Sequence, residues 1–297
     1  MKNKITIILV SYFSSKHIKR LVKNLVEKAE NSERLNFLIV DNTNGQDRLI
    51  EKYAQKYDNM DFLINDGSDK QRSISHASAI DKGLENSHSE YTLIIDPDVY
   101  IFKKKWDTFC IKSHSEKNFF LIGAPYPEWK IGKVHDFPSV VFMFFSTKEM
   151  KKLNTTFYPF PDFWIKLKNS FIRKIIRLGF FGSKGLLNKF YFLRKIARYL
   201  ENLTGITSPD TGNNIINAMR NGNKRSLCFE ASYSSDINDN DGMSILAKEY
   251  EAYMFQDELI MTHMYGSGVF YWKTSRGGDV DYWEKIINKI EKINEYI

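Results

Sequence analysis

Asp96-Pro97-Asp98 follows the apolar run Tyr91-Thr92-Leu93-Ile94-Ile95. Two carboxylates one residue apart at a strand end can share a divalent cation. Such hard oxygen ligands suit Mg2+ or Mn2+, ions that neutralise a diphosphate. The plainer reading is an Asp-Pro turn that ends the strand. Asp210, in Pro209-Asp210-Thr211-Gly212, stands just before a helical stretch and can serve as a general base or as a helix cap. Asp162, in Pro159-Phe160-Pro161-Asp162, is the alternative base. His263 is followed by Gly266-Ser267-Gly268. A neutral imidazole is a good Mn2+ ligand, and a glycine loop lets backbone N–H groups approach phosphate. A lone histidine is more often structural. Among the others, His17, His88 and His114 read as surface residues on or near helices, while His76 and His135 could lie near the site.

The elements that position these residues follow from hydrophobic period. Ile5–Val10 is a continuous β-branched run, a strand buried on both faces. Ser14 and Ser15 can cap a helix over Lys16–Ala29, in which Ile18, Leu21, Val22, Leu25 and Val26 keep the helical spacing. Strands are expected at Phe37–Val40, Phe62–Ile64 and Tyr91–Ile95, with helices at Arg48–Tyr57 and Ser75–Asn86. Later come strands Phe119–Gly123 and Val140–Phe145. Ser146-Thr147-Lys148-Glu149 then reads as a capping box for a helix through Leu153. A helix at Asn214–Arg220, a strand at Ser226–Phe229, a polar loop at Asn238–Gly242 and a C-terminal helix over Tyr282–Ile297 complete the pattern. Strand–helix alternation implies right-handed crossovers and a mostly parallel sheet, with ligands beyond the carboxyl ends of its strands. Ser11, Asp41, Asn65, Asp66, Asp96 and Asp98 all close strands and should meet on that edge.

Five segments in order carry a resemblance. Ile5-Thr6-Ile7-Ile8-Leu9-Val10-Ser11-Tyr12 looks like the opening strand of the family 2 glycosyltransferases, and Leu38-Ile39-Val40-Asp41-Asn42 is similar to their second strand. His76–Leu84, with its Gly83-Leu84, resembles the helix before their metal motif. Asp96-Pro97-Asp98 stands where their Asp-x-Asp belongs, and Pro209–Gly212 with Ile216, Ala218 and Gly222 resembles their acidic motif and its helix. Ala77-Ser78-Ala79 replaces the usual Ala-Arg-Asn, and Pro209-Asp210 replaces Glu-Asp. The resemblance implies one GT-A-like α/β domain over residues 1–297. It implies a nucleotide-diphosphate sugar donor held by Ser11, Tyr12, Asp41, Asn42, Asn65, Asp66 and Asp96. A Mn2+ or Mg2+ ion would sit on Asp98, Asp96 and His263, and transfer would proceed with inversion, Asp210 or Asp162 serving as base. The rivals are a nucleotidyltransferase and a non-catalytic membrane-surface protein. The first usually has a glycine-rich loop after its first strand, which Ser11–Ser15 lacks, and intact Asp96, Asp98 and Asp210 argue against the second.

The chain has 297 residues and a formal charge of +7. Its two cysteines form neither a disulfide framework nor a metal-ligand spacing. Ten basic and no acidic residues fall between Phe163 and Leu200, so of 43 basic residues 33 remain elsewhere against 36 acidic ones. A slightly acidic globule with one basic segment argues against a nucleic-acid partner. That segment, within residues 160–206, reads as a basic amphipathic helical insertion. Its apolar and basic residues, among them Trp164, Arg173, Lys174, Arg177, Arg194, Lys195 and Arg198, suit an anionic membrane surface. The other reading is a helical insertion packed on the core. The apolar run at the N-terminus is too short for a signal peptide, and no stretch is long enough to span a membrane. The expected setting is therefore cytoplasmic, peripheral on the inner face of the cell membrane. The acceptor expected there is a glycan or a lipid-linked molecule, as in cell-envelope polysaccharide growth.

Overall fold

A computed structural model describes residues 3–67, 72–159, 164, 167–168, 171–172, 184–237, 242–264 and 279–294. The first half alternates as expected: β1 (Ile5–Ser11), α1 (Ser15–Lys28), β2 (Leu35–Asp41), α2 (Arg48–Ala54), β3 (Met60–Ile64), α3 (Arg72–Glu85) and β4 (Tyr91–Ile95). Then come β5 (Val99–Ile101), α4 (Trp106–Lys117), β6 (Leu121–Gly123), β7 (Phe142–Ser146) and α5 (Thr147–Lys152). The remaining elements are α6 (Lys184–Lys189), α7 (Tyr191–Thr204), α8 (Asn213–Asn221), β8 (Ser226–Cys228), β9 (Glu230–Ala231), α9 (Met243–Glu249), β10 (Glu251–Phe255), β11 (Glu258–His263) and α10 (Val280–Asn294).

The main sheet has the order β3-β2-β1-β4-β7-β6-β8. Six of its strands run parallel and β7 runs against them. Successive side chains of a strand point to opposite faces. Ile5, Ile7 and Leu9 of β1 accordingly join α1 and α2 in one core, while Ile8 joins Ile80 and Leu84 of α3 in the other. Gly83 permits that second contact, because a Cβ there would lie 2.8 Å from Ile8 Cγ2.

A second sheet, β5-β11-β10-β9, is antiparallel and packs on α10 through Trp283, Ile286, Ile287 and Ile290. β4 belongs to the first sheet and β5 to the second, so Asp96-Pro97-Asp98 is the link between them.

Several local expectations change. Ser146 precedes α5 but its side chain makes no capping hydrogen bond, and Glu149 lies instead 3.6 Å from His114. Ser14 precedes α1, yet its hydroxyl accepts from the Tyr12 N–H at 3.0 Å rather than capping the helix. His17, read as a surface residue, is buried, and burial beside Arg20 lowers its pKa to about 4. Within the basic insertion, α6 and α7 are separate helices divided at Phe190. The helices α4 and α9 and the four strands of the second sheet, β5, β9, β10 and β11, were not expected; the strands and α9 lack a period long enough to distinguish them. The polar loop lies mostly outside the described residues, as does Gly266-Ser267-Gly268. No helix among the described residues is long and apolar enough to cross a membrane.

Candidate active site

The link between the sheets is held from both sides. Asp96 N–H donates to Val141 O at 3.1 Å, and Met264 N–H donates to Asp98 O at 2.8 Å. Arg20 of α1 donates to Pro97 O at 3.1 Å while its guanidinium lies over the Trp283 ring. Antiparallel pairing of β5 with β11 puts Val99 opposite His263, and this carries the imidazole to the carboxylates. His263 Nε2 is 3.3 Å from Asp98 Oδ1 and 3.8 Å from Asp96 Oδ2. One ligand atom from each of the three residues lies within 4.8 Å of the others.

The other imidazole nitrogen is also fixed. His263 Nδ1 lies 2.8 Å from Glu251 Oε2, because β10 pairs Glu251 directly with His263. Glu251 in turn holds Lys130 at 2.6 Å. Burial disfavours charge on His263, but Asp98 and Glu251 outweigh it and raise the imidazole to about 10. Asp96 is pushed upward by burial, against the pull of His76 and His263. His76 Nε2 is 3.7 Å from its Oδ1, so His76 does lie at the site.

Asp210 is tied to the same cluster. Its Oδ2 accepts from Lys133 at 2.5 Å and its Oδ1 from the Thr211 N–H at 2.9 Å. Burial would raise its pKa, but Lys133, Thr211 and the Tyr126 hydroxyl more than offset that and lower it. Lys130, lowered by burial, feels Glu251, Asp210 and Asp96 at once, and so connects the base candidate to the carboxylate pair. The helix-cap reading of Asp210 does not hold: the residue before α8 is Gly212. The alternative base, Asp162, lies outside the described residues.

Two hard carboxylate oxygens and an imidazole nitrogen oriented by a buried glutamate form a donor set that suits a divalent cation. The family described as glycosyl transferase family 2 matches residues 6–172, more than half of the chain. The chain belongs to this family. Among solved structures, a mannosyltransferase from Pyrobaculum calidifontis, in complex with GDP-Man and Mn2+, is 15% identical and has a TM-score of 0.41. That similarity covers 53% of this chain and 48% of that one. S. aureus TarS 1-349, in complex with UDP-GlcNAc, is 17% identical over 52% of this chain and 48% of its own, with a TM-score of 0.41. The chain thus spans about half the length of these structures. No curated protein matches it.

The family's donor side is expected at the ends of β1, β2 and β3, where this chain carries a closed polar network. Asp41 accepts from the Thr43 N–H and hydroxyl and from the Gly45 N–H, so its carboxylate shapes its own turn. Asn42 donates to Ser75 Oγ at 2.6 Å and accepts from Asn65 at 2.8 Å. Gly67 closes this network, since a Cβ there would lie 2.1 Å from Asn42 Oδ1. The buried Ser11 hydroxyl is 3.4 Å from both Ser14 Oγ and Asp47 Oδ2. Tyr12 and Asp66 are exposed beside them.

Of the basic residues expected at a membrane or acceptor, Arg173, Lys174 and Arg177 lie outside the described residues. Arg194, Lys195 and Arg198 line a cavity, with Arg194 paired to Asp236 and Arg198 to Glu128. These acidic partners come from distant parts of the chain, so the absence of acid within the segment hid them. The exposed apolar residues Trp164, Leu167 and Phe171 stand at helical spacing, as do Phe192, Ile196 and Leu203. Sequence reasoning missed Glu251, Lys130, Lys133, Tyr126 and Arg20. Neither motif nor period marks them; the one hint is that Lys130 and Lys133 are three residues apart around Gly132.

Proposed function

We propose that this glycosyltransferase takes a sugar from a nucleotide-diphosphate donor and passes it, with inversion, to a glycan or lipid-linked acceptor. The reading includes dependence on Mn2+ or Mg2+. What carries it is the convergence of Asp96, Asp98 and His263 at the end of β4. These residues would hold the ion, with Glu251 fixing the His263 ring. When bound, the ion would offset charge on the departing diphosphate. Lys130, whose charge burial disfavours and Glu251 supports, lies within electrostatic reach of Asp96.

Asp210 would accept the proton of the acceptor hydroxyl as that oxygen attacks the anomeric carbon. Lys133 keeps it ionised, the form a base requires. On the donor side, Asp41 would act through the turn it shapes, while Ser11, Tyr12, Asn42, Asn65 and Asp66 border the nucleotide. An anionic membrane as the working surface, on the cytoplasmic side, is supported by the basic insertion and by its exposed apolar residues. Trp164 is 71% exposed and Phe192 59%, and such rings suit the headgroup boundary.

A panel of nucleotide sugars tests the reading. One donor should raise the melting temperature in the presence of Mn2+, by mass action, and should be hydrolysed slowly only when the metal is present. Hydrolysis that is unaffected by a chelator would refute the metal-dependent mechanism.

A further inference from the structure

Between α7, the loop that contains Tyr126, and the segment from β9 to Asp236 lies a cavity of about 820 Å3. That is in the upper part of the range for small-molecule sites. One face of α7 lines it: Tyr191, Arg194, Lys195, Arg198, Tyr199 and Asn202, three and four residues apart. Tyr126 and Tyr233 line it as well.

The lysine, arginine and carboxylate charges of the lining cancel, and His135, which also lines the cavity, is paired with Glu201 at 2.9 Å behind it. Arg194, Lys195 and Arg198 face Glu128, Glu230 and Asp236. Arg194 grips Asp236 with two nitrogens, at 2.8 and 3.1 Å, and lies 4.0 Å over the Tyr233 ring; Arg198 is paired with Glu128. An anionic headgroup or phosphate would meet Glu128, Glu230 and Asp236 as like charges and would have to compete with them for the cations, Asp236 and Glu128 being about half exposed themselves. A neutral glycan would not. Its hydroxyls can bridge donors and acceptors that already lie side by side, and the C–H faces of its rings can pack on tyrosines.

The cavity also reaches the chemistry. Tyr126 lines it, and the same residue donates its hydroxyl to Asp210. Pro125 lines it too, and its carbonyl accepts from Tyr253, whose hydroxyl is 3.1 Å from Glu251. One end of the cavity is therefore next to the base candidate.

We propose that this cavity binds the acceptor, that the acceptor is a neutral glycan chain, and that the end receiving the new sugar lies at Tyr126. The assignment rests on the transferase reading above and names the substrate class for it.

Saturation-transfer NMR against neutral tetrasaccharides of glucose, mannose, galactose and N-acetylglucosamine tests it, with phosphatidylglycerol vesicles as a separate arm. The wild type should transfer saturation to at least one tetrasaccharide. The double variant Tyr199→Ala with Asn202→Ala removes an exposed ring and an exposed amide, and should weaken that binding about tenfold. Tyr199→Phe keeps the ring and should retain most of it. Transfer to none of the glycans, or equal transfer with the double variant, overturns the proposal. So does a double variant that loses only vesicle binding, which would make the face a lipid-docking surface. Metal-dependent donor hydrolysis by the wild type is measured in parallel. Hydrolysis without glycan binding sinks this inference alone, whereas glycan binding without hydrolysis sinks the transferase mechanism and with it the acceptor role, leaving a glycan-binding cavity.

Discussion

At the end of β2, Asp41 gives its oxygens to Thr43 and Gly45, while Asn42, Asn65 and Ser75 satisfy one another. At the end of β4, a few strands away in the same sheet, Asp96 and Asp98 face each other across His263. Both clusters are polar and largely buried, and both close parallel strands. The first is neutral in sum apart from one carboxylate that its own turn satisfies. The second crowds like charges where they repel, and His263, His76, Lys130 and Arg20 each offset part of that repulsion. Buried polar groups that satisfy each other stabilise a loop, whereas crowded carboxylates await a cation. On the proposed function, the first cluster would hold the nucleotide's border in shape and the second would take part in the chemistry.

Asp98→Asn is the severest test of that division. It keeps the shape and removes one charged ligand, so activity should fall to background while the melting temperature holds or rises. Full activity in this variant would place the metal elsewhere. Asp210→Asn should lower kcat by about a hundredfold with donor affinity nearly unchanged, the scale of a positioned general base. Weak donor binding, seen by isothermal titration, would move Asp210 into the donor site. Glu251→Gln leaves the three ligands in place and loosens only the ring behind them. Titration with Mn2+ should show an affinity about 10–100-fold lower.

The β2 cluster should respond in stability instead. Asp41→Ala strands the Thr43 and Gly45 donors and should cost about 1–3 kcal/mol in urea unfolding, with Mn2+ affinity unchanged. A matching loss of metal affinity would merge the two clusters into one unit. The smallest effect concerns acid. The pKa of Asp210 is lowered on folding, so its pairing stabilises the protein above its ordinary value of 3.8 and is lost as the pH falls through the lower folded value. Asp210→Asn should flatten the fall in stability below about pH 4, and Asn42→Ala, which removes no charge, should leave the slope as it was.

Reading along the chain was enough for the left half of the main sheet. β1, α1, β2, α3 and β4 sit within a few residues of their expected places, because continuous β-branched runs and an apolar stripe at helical spacing each admit one burial pattern. The pair Asp96 and Asp98 was equally visible, since both residues are local to one strand end. His263 could be named from its neighbours, but its place beside Asp98 depends on pairing β5 with β11, more than 150 residues apart. Nothing in short-range order encodes such a register. The same holds for Glu251, set behind His263 by the β10–β11 pairing, and for Lys130 and Lys133, which stand between β6 and β7 in a stretch with neither helix nor strand. On α7 the helical spacing announced an amphipathic helix, yet Arg194 and Arg198 pair with Asp236 and Glu128. Both are distant in sequence and come into reach only when the chain is folded, because an ion pair depends on distance in space and not along the chain.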